Sequence, residues 1–324
     1  MNMTAASSTD LRNLNWNRAW REARQKRKHI RSDNTAWNQR AASFAKHTKT
    51  SGYARNFLRF MTPEPNWSVL DIGCGPGTLA VPLSGLVRSV TAIDFSDAMI
   101  SILDKRCWEE GVTNVATHVL GWEDDWEPSG IRKHDVAIAS RSLVVEDIEA
   151  AVIKLDRMAR QKVFITSLVG DGPCDRRIFE AIGRDLDRGP DYVYVYNILN
   201  QMGILADITF VANGENNTPY ANIDEAVKGL HWMIRDMTET EESRLRTYLE
   251  KHLVRSGEGW VLSYKHPVRW AVISWKKPPV KNNSLQSMAP ATKENRRSSP
   301  VHAADNIRRP ARGIATNTRA MFLS

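Results

Sequence analysis

The spacing of hydrophobic positions changes near Trp67, and the change separates two kinds of structure. Before this point apolar residues recur at helical intervals, which predicts helices over 14–31 and 33–60, the second capped by Asp33. From Trp67 onward, short apolar runs alternate with stretches of helical periodicity. Short apolar runs of this kind are typical of strands that are buried on both faces of a sheet.

Five strands are predicted in the first part of this region, and helices are predicted between them. The strands are Trp67–Ile72, Ser89–Ile93, Val115–Leu120, Asp135–Ala139 and Lys162–Ser167. The helices are Pro76–Val87, in which Pro82 predicts a kink or a late start, a Ser96-capped helix to Glu110, and Glu146–Arg160. This alternation predicts an α/β fold with a doubly wound, mainly parallel sheet.

The pattern loosens beyond residue 167. Helices are predicted at 175–188, 191–202, Asp224–Met237 and Glu239–Arg255, and two more strands at Ala206–Val211 and Val268–Trp275. The sheet then has seven strands. We predict a basic N-terminal helical extension at 1–40 and a folded domain at 41–276, with inserted cap helices at 222–256. A disordered basic tail is predicted at 277–324, because Pro, Ser, Asn and Arg dominate it.

The distribution of charge narrows the expected partners. The net charge is +8, but residues 1–40 carry a surplus of six positive charges and residues 277–324 a surplus of seven. The domain between them is therefore mildly acidic. A basic average over the whole chain would suggest nucleic acid, whereas this distribution restricts such contacts to the two ends.

The sequence predicts a cytoplasmic protein without a membrane span. No run of 18 apolar residues is present, and the N-terminus lacks the apolar core of a secretory signal. The three cysteines are widely spaced and form no C-x-x-C pair. We therefore expect neither a disulfide framework nor a structural metal site.

The glycine-rich turn after the first predicted strand is the most informative segment. It reads Val69-Leu-Asp-Ile-Gly-Cys-Gly-Pro-Gly77. Glycines permit close approach of a ligand to the backbone, and the following helix N-terminus favours a nucleotide. The spacing is G-x-G-x-G, whereas dinucleotide sites use G-x-G-x-x-G. Asp71 precedes the first glycine by two residues, a position that is unfavourable beside a pyrophosphate and suits a cationic ligand.

Together with a second motif, this turn resembles class I S-adenosylmethionine-dependent methyltransferases. The second motif is Thr91-Ala-Ile-Asp-Phe-Ser96, in which Asp94 ends the second strand and can accept both ribose hydroxyls. The resemblance covers 67–167 well and extends more loosely to 276. It implies a Rossmann-like methyltransferase fold and S-adenosyl-L-methionine as the cofactor, whose ammonium and sulfonium groups suit Asp71.

The resemblance also implies roles for two further loops. Family members place a bulky residue on the adenine face and a polar one against its amino group after the third strand. Here Trp122 would stack on adenine, and Glu123 or Asp124 would accept its amino hydrogens. The alternative is a solvated acidic loop with a packing tryptophan. The cofactor-binding residues predicted in this way are Asp71, Gly73, Cys74, Gly75, Gly77, Asp94, Phe95, Trp122, Glu123 and Ser140.

The segment after the fourth strand lines the methyl-transfer site in the family. Ser140 and Arg141 are therefore candidates for contact with the cofactor or the acceptor. For Arg141 the alternative is a surface ion pair with Glu146 or Asp147. Residues predicted to border the acceptor pocket are Trp37, Arg40, Tyr53, Tyr192 and Trp232.

The function implied is methyl transfer to a small-molecule acceptor by in-line displacement. No catalytic base is identified from the sequence, since His118 and His134 are expected to be structural and His231 has no supporting context. One alternative is an RNA methyltransferase that uses the basic termini for phosphate contacts. Another is a protein that binds S-adenosylmethionine without catalysis.

Overall fold

The computed structural model describes residues 13–26, 33–49, 52–212, 219–257 and 259–278. Nine strands occur within these ranges. They are β1 (Ser68–Ile72), β2 (Ser89–Asp94), β3 (Val115–Val119), β4 (His134–Ser140), β5 (Ala159–Leu168), β6 (Asp207–Ala212), β7 (Leu253–Ser256), β8 (Gly259–Leu262) and β9 (Arg269–Lys276). Seven form one sheet in the order β3-β2-β1-β4-β5-β9-β6, and β7 and β8 form a separate hairpin.

All neighbours in the large sheet are parallel except β9, which is antiparallel to both β5 and β6. Every residue of β1 is buried, as expected for the central strand of a sheet covered on both faces. The predicted α/β fold with a seven-stranded, mainly parallel sheet is confirmed.

Ten α-helices lie in the same described ranges. They are α1 (Trp16–Lys26), α2 (Asn34–Lys49), α3 (Tyr53–Met61), α4 (Ala80–Ser84), α5 (Asp97–Glu109), α6 (Ile148–Met158), α7 (Arg176–Ile182), α8 (Tyr192–Gln201), α9 (Ile223–Leu230) and α10 (Glu239–His252). Two predicted caps are present, since Asp33 accepts the Ala36 N–H at 2.9 Å and Ser96 accepts the Met99 N–H at 3.1 Å.

Among the described residues, no helix combines the length and apolar character that a membrane crossing requires.

Apolar side chains form a core on each face of the sheet. On one face, α1, α6 and α8 pack around residues such as Trp20, Leu155 and Ile198. On the other face, α3, α4 and α5 pack around Phe57 and Leu103. A third cluster joins α7, α9 and α10 away from both faces. The helices at 222–256 therefore bury their apolar sides mainly against α7.

Two helices are shorter than the periodicity predicts because of a proline and a glycine. The helix α4 begins only at Ala80, so Pro82 lies in the first turn, where its missing N–H is not needed. The helix α7 ends at Ile182, because Gly183 adopts a left-handed φ of 84° and closes it. The prediction that this helix continues to residue 188 is wrong.

Two further helix ends are displaced by strand pairing. The predicted helix ending at Arg160 stops at Met158, because the following residues already belong to β5. The predicted helix ending at Arg255 stops at His252, because Leu253–Ser256 pairs with β8 across a turn. Local periodicity does not reveal these pairings, which depend on a distant or a returning strand.

The predicted boundary at residue 40 falls within α2. The helix α1 also packs on the core, where Asn17 and Arg21 bond the side chain of Asp147 at 3.0 and 2.6 Å. The remaining parts of the predicted termini, including the tail from residue 279, lie outside the described residues.

Replacing Trp20 with alanine is expected to destabilise the protein by about 3–5 kcal/mol. Trp20 is 2% exposed. Its Nε1 donates to the Val145 carbonyl at 2.8 Å, and its ring meets Tyr194 edge-on. Urea unfolding measures the change. Arg18→Ala is the control, because exposed Arg18 pairs with Glu22 one helical turn away, and such a surface pair contributes under about 0.5 kcal/mol. Equal stability of the two variants would show that α1 is not part of the core.

Candidate cofactor and acceptor site

A cavity of about 320 Å³ lies at the carboxyl ends of β1, β2 and β4. Ligands of open α/β sheets bind at this edge, where the strand order reverses on the two sides of the first strand. Its lining comes from the loop after β1, the ends of β2 and β4, the loop after β3, and α2. It includes Trp37, Phe44, Asp71, Gly73, Cys74, Gly75, Asp94, Phe95, Trp122, Glu123, Asp124, Ser140, Arg141 and Ser142.

The three glycines of the turn have positive φ angles but different surroundings. A Cβ on Gly73 would lie 2.3 Å from the Cβ of Ser142, so this glycine allows β4 to approach the loop. A Cβ on Gly77 would lie 2.4 Å from a methyl carbon of Leu103, so the third glycine allows α5 to pack. A Cβ on Gly75 would meet only a ring carbon of α2 at 3.7 Å. Gly75 therefore leaves backbone surface open to the cavity.

Asp71 brings a buried carboxylate oxygen without a partner to this cavity. The residue is 1% exposed, and no group in the described part of the chain forms a hydrogen bond with its Oδ2. Burial and, secondarily, the nearby Asp94 raise the pKa of Asp71 to about 7, against the opposing effect of Arg141. A buried acceptor without a donor is unfavourable. A cationic ligand group at this position would relieve that cost.

Asp94 is held in a fixed orientation at the end of β2. Its Oδ2 accepts the Gly75 N–H and its Oδ1 accepts the Ser96 N–H, each at 2.9 Å. Burial raises the pKa of Asp94, and these two hydrogen bonds oppose the rise. Each carboxylate oxygen keeps acceptor capacity for one further donor. The side chain is thus arranged to accept a pair of hydroxyls.

The loop after β3 presents Trp122 as a flat wall of the cavity. The Trp122 Nε1 donates to the Ser142 carbonyl at 2.9 Å, and its ring packs against Trp126 at 5.5 Å. Asp124 closes the loop by accepting the Gly121 N–H at 2.7 Å. These contacts hold the indole ring in place without a ligand.

The end of β4 carries Ser140 and Arg141 into the cavity lining. The Tyr53 hydroxyl lies 2.7 Å from the Ser140 Oγ and donates to the Thr166 Oγ1 at 3.1 Å. The guanidinium of Arg141 lies 4.1 Å from the centre of the Tyr53 ring. The alternative for Arg141, a surface ion pair with Glu146 or Asp147, is not found among the described residues, and Asp147 pairs instead with Arg21.

A profile described as the methyltransferase domain matches residues 69–162, which span β1 to the start of β5. The chain belongs to the class I S-adenosylmethionine-dependent methyltransferase family.

Three proteins illustrate the range of similarity. An uncharacterised protein of Haemophilus influenzae is 30% identical over 241 residues, covering 74% of this chain and 88% of that protein. Nocamycin O-methyltransferase of Saccharothrix syringae is 29% identical over 111 residues, covering 33% of this chain and 39% of that protein. The crystal structure of Synechocystis magnesium protoporphyrin IX methyltransferase with bound S-adenosylmethionine is 11% identical with a TM-score of 0.40, covering 83% and 99% of the respective chains.

Of the residues predicted to border an acceptor pocket, Trp37 lines the cavity. Tyr53 is fully buried behind Arg141. The other three lie elsewhere. Arg40 stacks on the Trp37 ring at 4.6 Å without reaching the lining, and Tyr192 packs edge-on against a phenylalanine of β6 at 5.4 Å. Trp232 lies in a short 3₁₀ turn after α9, outside the cavity, because that region packs with α7.

Several contributors to the site were not predicted. Ser142 contacts both the glycine loop and Trp122, and its Oγ donates to the Ile72 carbonyl at 2.6 Å. Thr166 and Trp270 contact the Tyr53–Arg141 group. Ser142 and Thr166 lie near the carboxyl ends of predicted strands, and this position in the sequence could have identified them as site residues. Trp270 is the second residue of β9, and the antiparallel course of that strand brings its start to this edge.

Among the cysteines and histidines that the structure describes, only Cys74 belongs to the cavity lining. Cys74 borders it, but burial raises the pKa of its thiol well above the ordinary range. Cys174 is buried in the cluster of α7, α9 and α10. His134 lies at the opposite edge of the sheet, with its ring nitrogens near the Arg132 carbonyl and the Thr91 hydroxyl.

Proposed function

We propose that this protein binds S-adenosylmethionine and transfers its methyl group to a small-molecule acceptor by in-line displacement. The proposal rests on one observation. A carboxylate oxygen of Asp71 that has no hydrogen-bond partner among the described residues lies in the same cavity as the open backbone surface of Gly75. A ligand that is both nucleoside-like and cationic satisfies both features. S-adenosylmethionine has this combination.

The residues of the cavity fit each part of that cofactor. Asp94 would accept the ribose hydroxyls, Trp122 would stack on the adenine, and the exposed Glu123 would accept its amino hydrogens. Asp71 would face the methionine ammonium. When bound, the cofactor supplies a methyl group activated by the sulfonium.

The helix α2 covers this cavity and would exclude water from it. Trp37 and Phe44 face the cavity, with their rings edge-to-face at 5.6 Å. Asn34 donates to the Phe95 carbonyl at 2.6 Å, and Asn38 donates to Asp97 at 2.7 Å. These bonds fasten the helix beside the end of β2. The chain's own contribution is then to align the acceptor and to keep the site dry.

The cover that α2 forms over the cavity supports a small acceptor. The cavity volume of about 320 Å³ lies in the range of small-molecule pockets, and the cofactor would occupy much of it. RNA binding through the basic ends is the alternative, and residues 1–12, 27–32 and 279–324, on which it depends, lie outside the described part of the chain.

Binding of S-adenosylhomocysteine is expected to weaken about tenfold per pH unit below pH 7. The pKa of Asp71 is raised to about 7, and only the ionised carboxylate attracts the ligand ammonium, so acidification removes the binding form. Calorimetric titration between pH 5.5 and 7.5 measures the slope. Methylthioadenosine, which lacks the ammonium, and the Asp71→Asn variant are expected to give flat profiles. A flat profile for S-adenosylhomocysteine with the unaltered protein would contradict the role of Asp71.

Methyl-labelled S-adenosylmethionine incubated with cell extract tests the proposed activity. Label is expected in the small-metabolite fraction and not in RNA. Label in RNA that disappears when the two basic ends are removed would establish the alternative. Binding of S-adenosylhomocysteine without transfer to either fraction would indicate a non-catalytic binding protein.

A further inference from the structure

Arg141 has an unusual backbone conformation at the edge of the cavity. Its φ is 59°, in the left-handed region that side chains rarely occupy. Among the described residues, Thr62 and Asp236 are the other non-glycine residues with positive φ. The conformation is held by the Arg141 N–H, which donates to the Thr166 Oγ1 at 2.7 Å. Backbone strain of this kind typically persists where it positions a side chain for function.

The guanidinium of Arg141 has aromatic neighbours and no ion-pair partner among the described residues. Burial lowers its pKa, and the charge of Asp71 in the same cavity opposes that shift. The guanidinium charge lies 4.1 Å from the ring centre of Tyr53 and 5.8 Å from those of Phe44 and Trp270. Its Nε is buried and has no hydrogen-bond partner within the ranges that the structure describes. The ion pairs found in the described part of the chain do not include this residue. Cation–π contacts recover only part of the free energy lost when a charge leaves water.

The position of Arg141 along the sheet separates it from the nucleoside end of the cavity. Asp94 ends β2, whereas Arg141 follows β4 and bonds to β5 through Thr166. The strand β1 lies between β2 and β4. With the ribose on Asp94 and the ammonium on Asp71, the guanidinium faces the part of the cavity that an acceptor would enter.

We propose that Arg141 binds a carboxylate of the methyl acceptor, so that the substrates are small carboxylic acids methylated at another atom. This rests on the proposed function above. A guanidinium presents N–H donors in a planar fork that matches a carboxylate, and the unpartnered Nε is one of them. The Phe44 ring, which lines the cavity beside the guanidinium, provides an apolar contact for the body of the acid.

A carboxylate probe tests this without turnover. The complex with S-adenosylhomocysteine is titrated with benzoate and, separately, with benzyl alcohol, followed by NMR or calorimetry. We expect benzoate to bind at least tenfold more tightly than the neutral alcohol. Arg141→Met is expected to abolish this preference, and Arg141→Lys to retain part of it. Arg255→Met is the matched control, because Arg255 also stacks on an aromatic ring but is exposed in the β7–β8 hairpin.

The cofactor also has a carboxylate. The same variants show whether Arg141 binds the carboxylate of the acceptor or that of the cofactor. If Arg141 serves the acceptor, Arg141→Met changes S-adenosylhomocysteine affinity less than threefold. A loss of tenfold or more, with methylthioadenosine binding unchanged, would assign the guanidinium to the cofactor and overturn the proposal. Equal affinity for benzoate and benzyl alcohol in the unaltered complex would overturn it as well. Failure of the protein to bind S-adenosylhomocysteine at all would instead contradict the proposed function.

Thermal melting of each variant shows whether it is folded before binding is interpreted. In the transfer assay, label is expected in the acidic metabolites that an anion exchanger retains, and Arg141→Met is expected to lower that signal at least 100-fold. Label confined to neutral or basic metabolites would contradict a carboxylate acceptor while leaving the methyltransferase activity intact.

Discussion

A Gly75→Leu variant is expected to bind S-adenosylhomocysteine at least ~100-fold more weakly than the unaltered protein, a change of about 3 kcal/mol. The added side chain would project into the cavity, where a Cβ meets nothing closer than 3.7 Å in the ligand-free structure. The left-handed φ of 54° adds strain of roughly 1–2 kcal/mol, which a stable domain tolerates. Calorimetry measures the affinity, and thermal melting shows that the variant is folded.

Gly77→Leu is the matched control for this glycine. Its Cβ would lie 2.4 Å from Leu103 and 2.9 Å from Val81, so the substitution disturbs the packing of α5 and mainly lowers stability. The two variants therefore separate a glycine needed for the ligand from a glycine needed for the fold. Undiminished binding by Gly75→Leu would show that the cofactor does not lie against this loop.

An Asp94→Asn variant is expected to lose ~100-fold or more in S-adenosylhomocysteine affinity. A carboxylate can accept both ribose hydroxyls, and hydrogen bonds to a charged group contribute about 1.5–3 kcal/mol each. The amide keeps one acceptor oxygen and has no charge. It also disturbs one of the two bonds that orient this side chain, to the N–H groups of Gly75 and Ser96.

Asp104→Asn provides the comparison for Asp94. Asp104 is also an acid near β2 and β3, but its Oδ1 accepts the Thr117 hydroxyl at 2.7 Å on the exposed surface, outside the cavity lining. The affinity of the Asp104→Asn variant for S-adenosylhomocysteine is expected to stay within twofold of that of the unaltered protein. Similar affinities for the two variants would exclude Asp94 as the ribose-binding residue.

The elements with strong local signals were predicted well from the sequence. The first five strands appear within one to three residues of their predicted bounds, because buried parallel strands are short apolar runs. Ser96 caps α5 as predicted, and Gly111 follows its end with a φ of 66°. The β7–β8 hairpin was missed, since its four-residue strands depend on pairing with each other and continue a helical pattern.

The acceptor side of the site was predicted less well than the cofactor side. The sequence predicts Tyr192 and Trp232 beside the acceptor pocket, and both belong to helical segments late in the chain. The structure instead packs α8 on the sheet and α9 on α7. Helix periodicity shows which face is apolar but does not show which partner will cover that face.

The sequence by itself determined the family and the candidate donor site, because the glycine spacing, Asp71 and Asp94 lie within a continuous segment whose strand–turn–helix geometry is local. Only the tertiary structure decided what surrounds Arg141. Its aromatic neighbours come from α2, α3 and β9, which are separated along the chain by up to about two hundred residues and meet through sheet topology. Among the described residues no carboxylate forms an ion pair with that guanidinium, although the charge of Asp71 acts on it, and the acceptor proposal depends on this property of the packed fold.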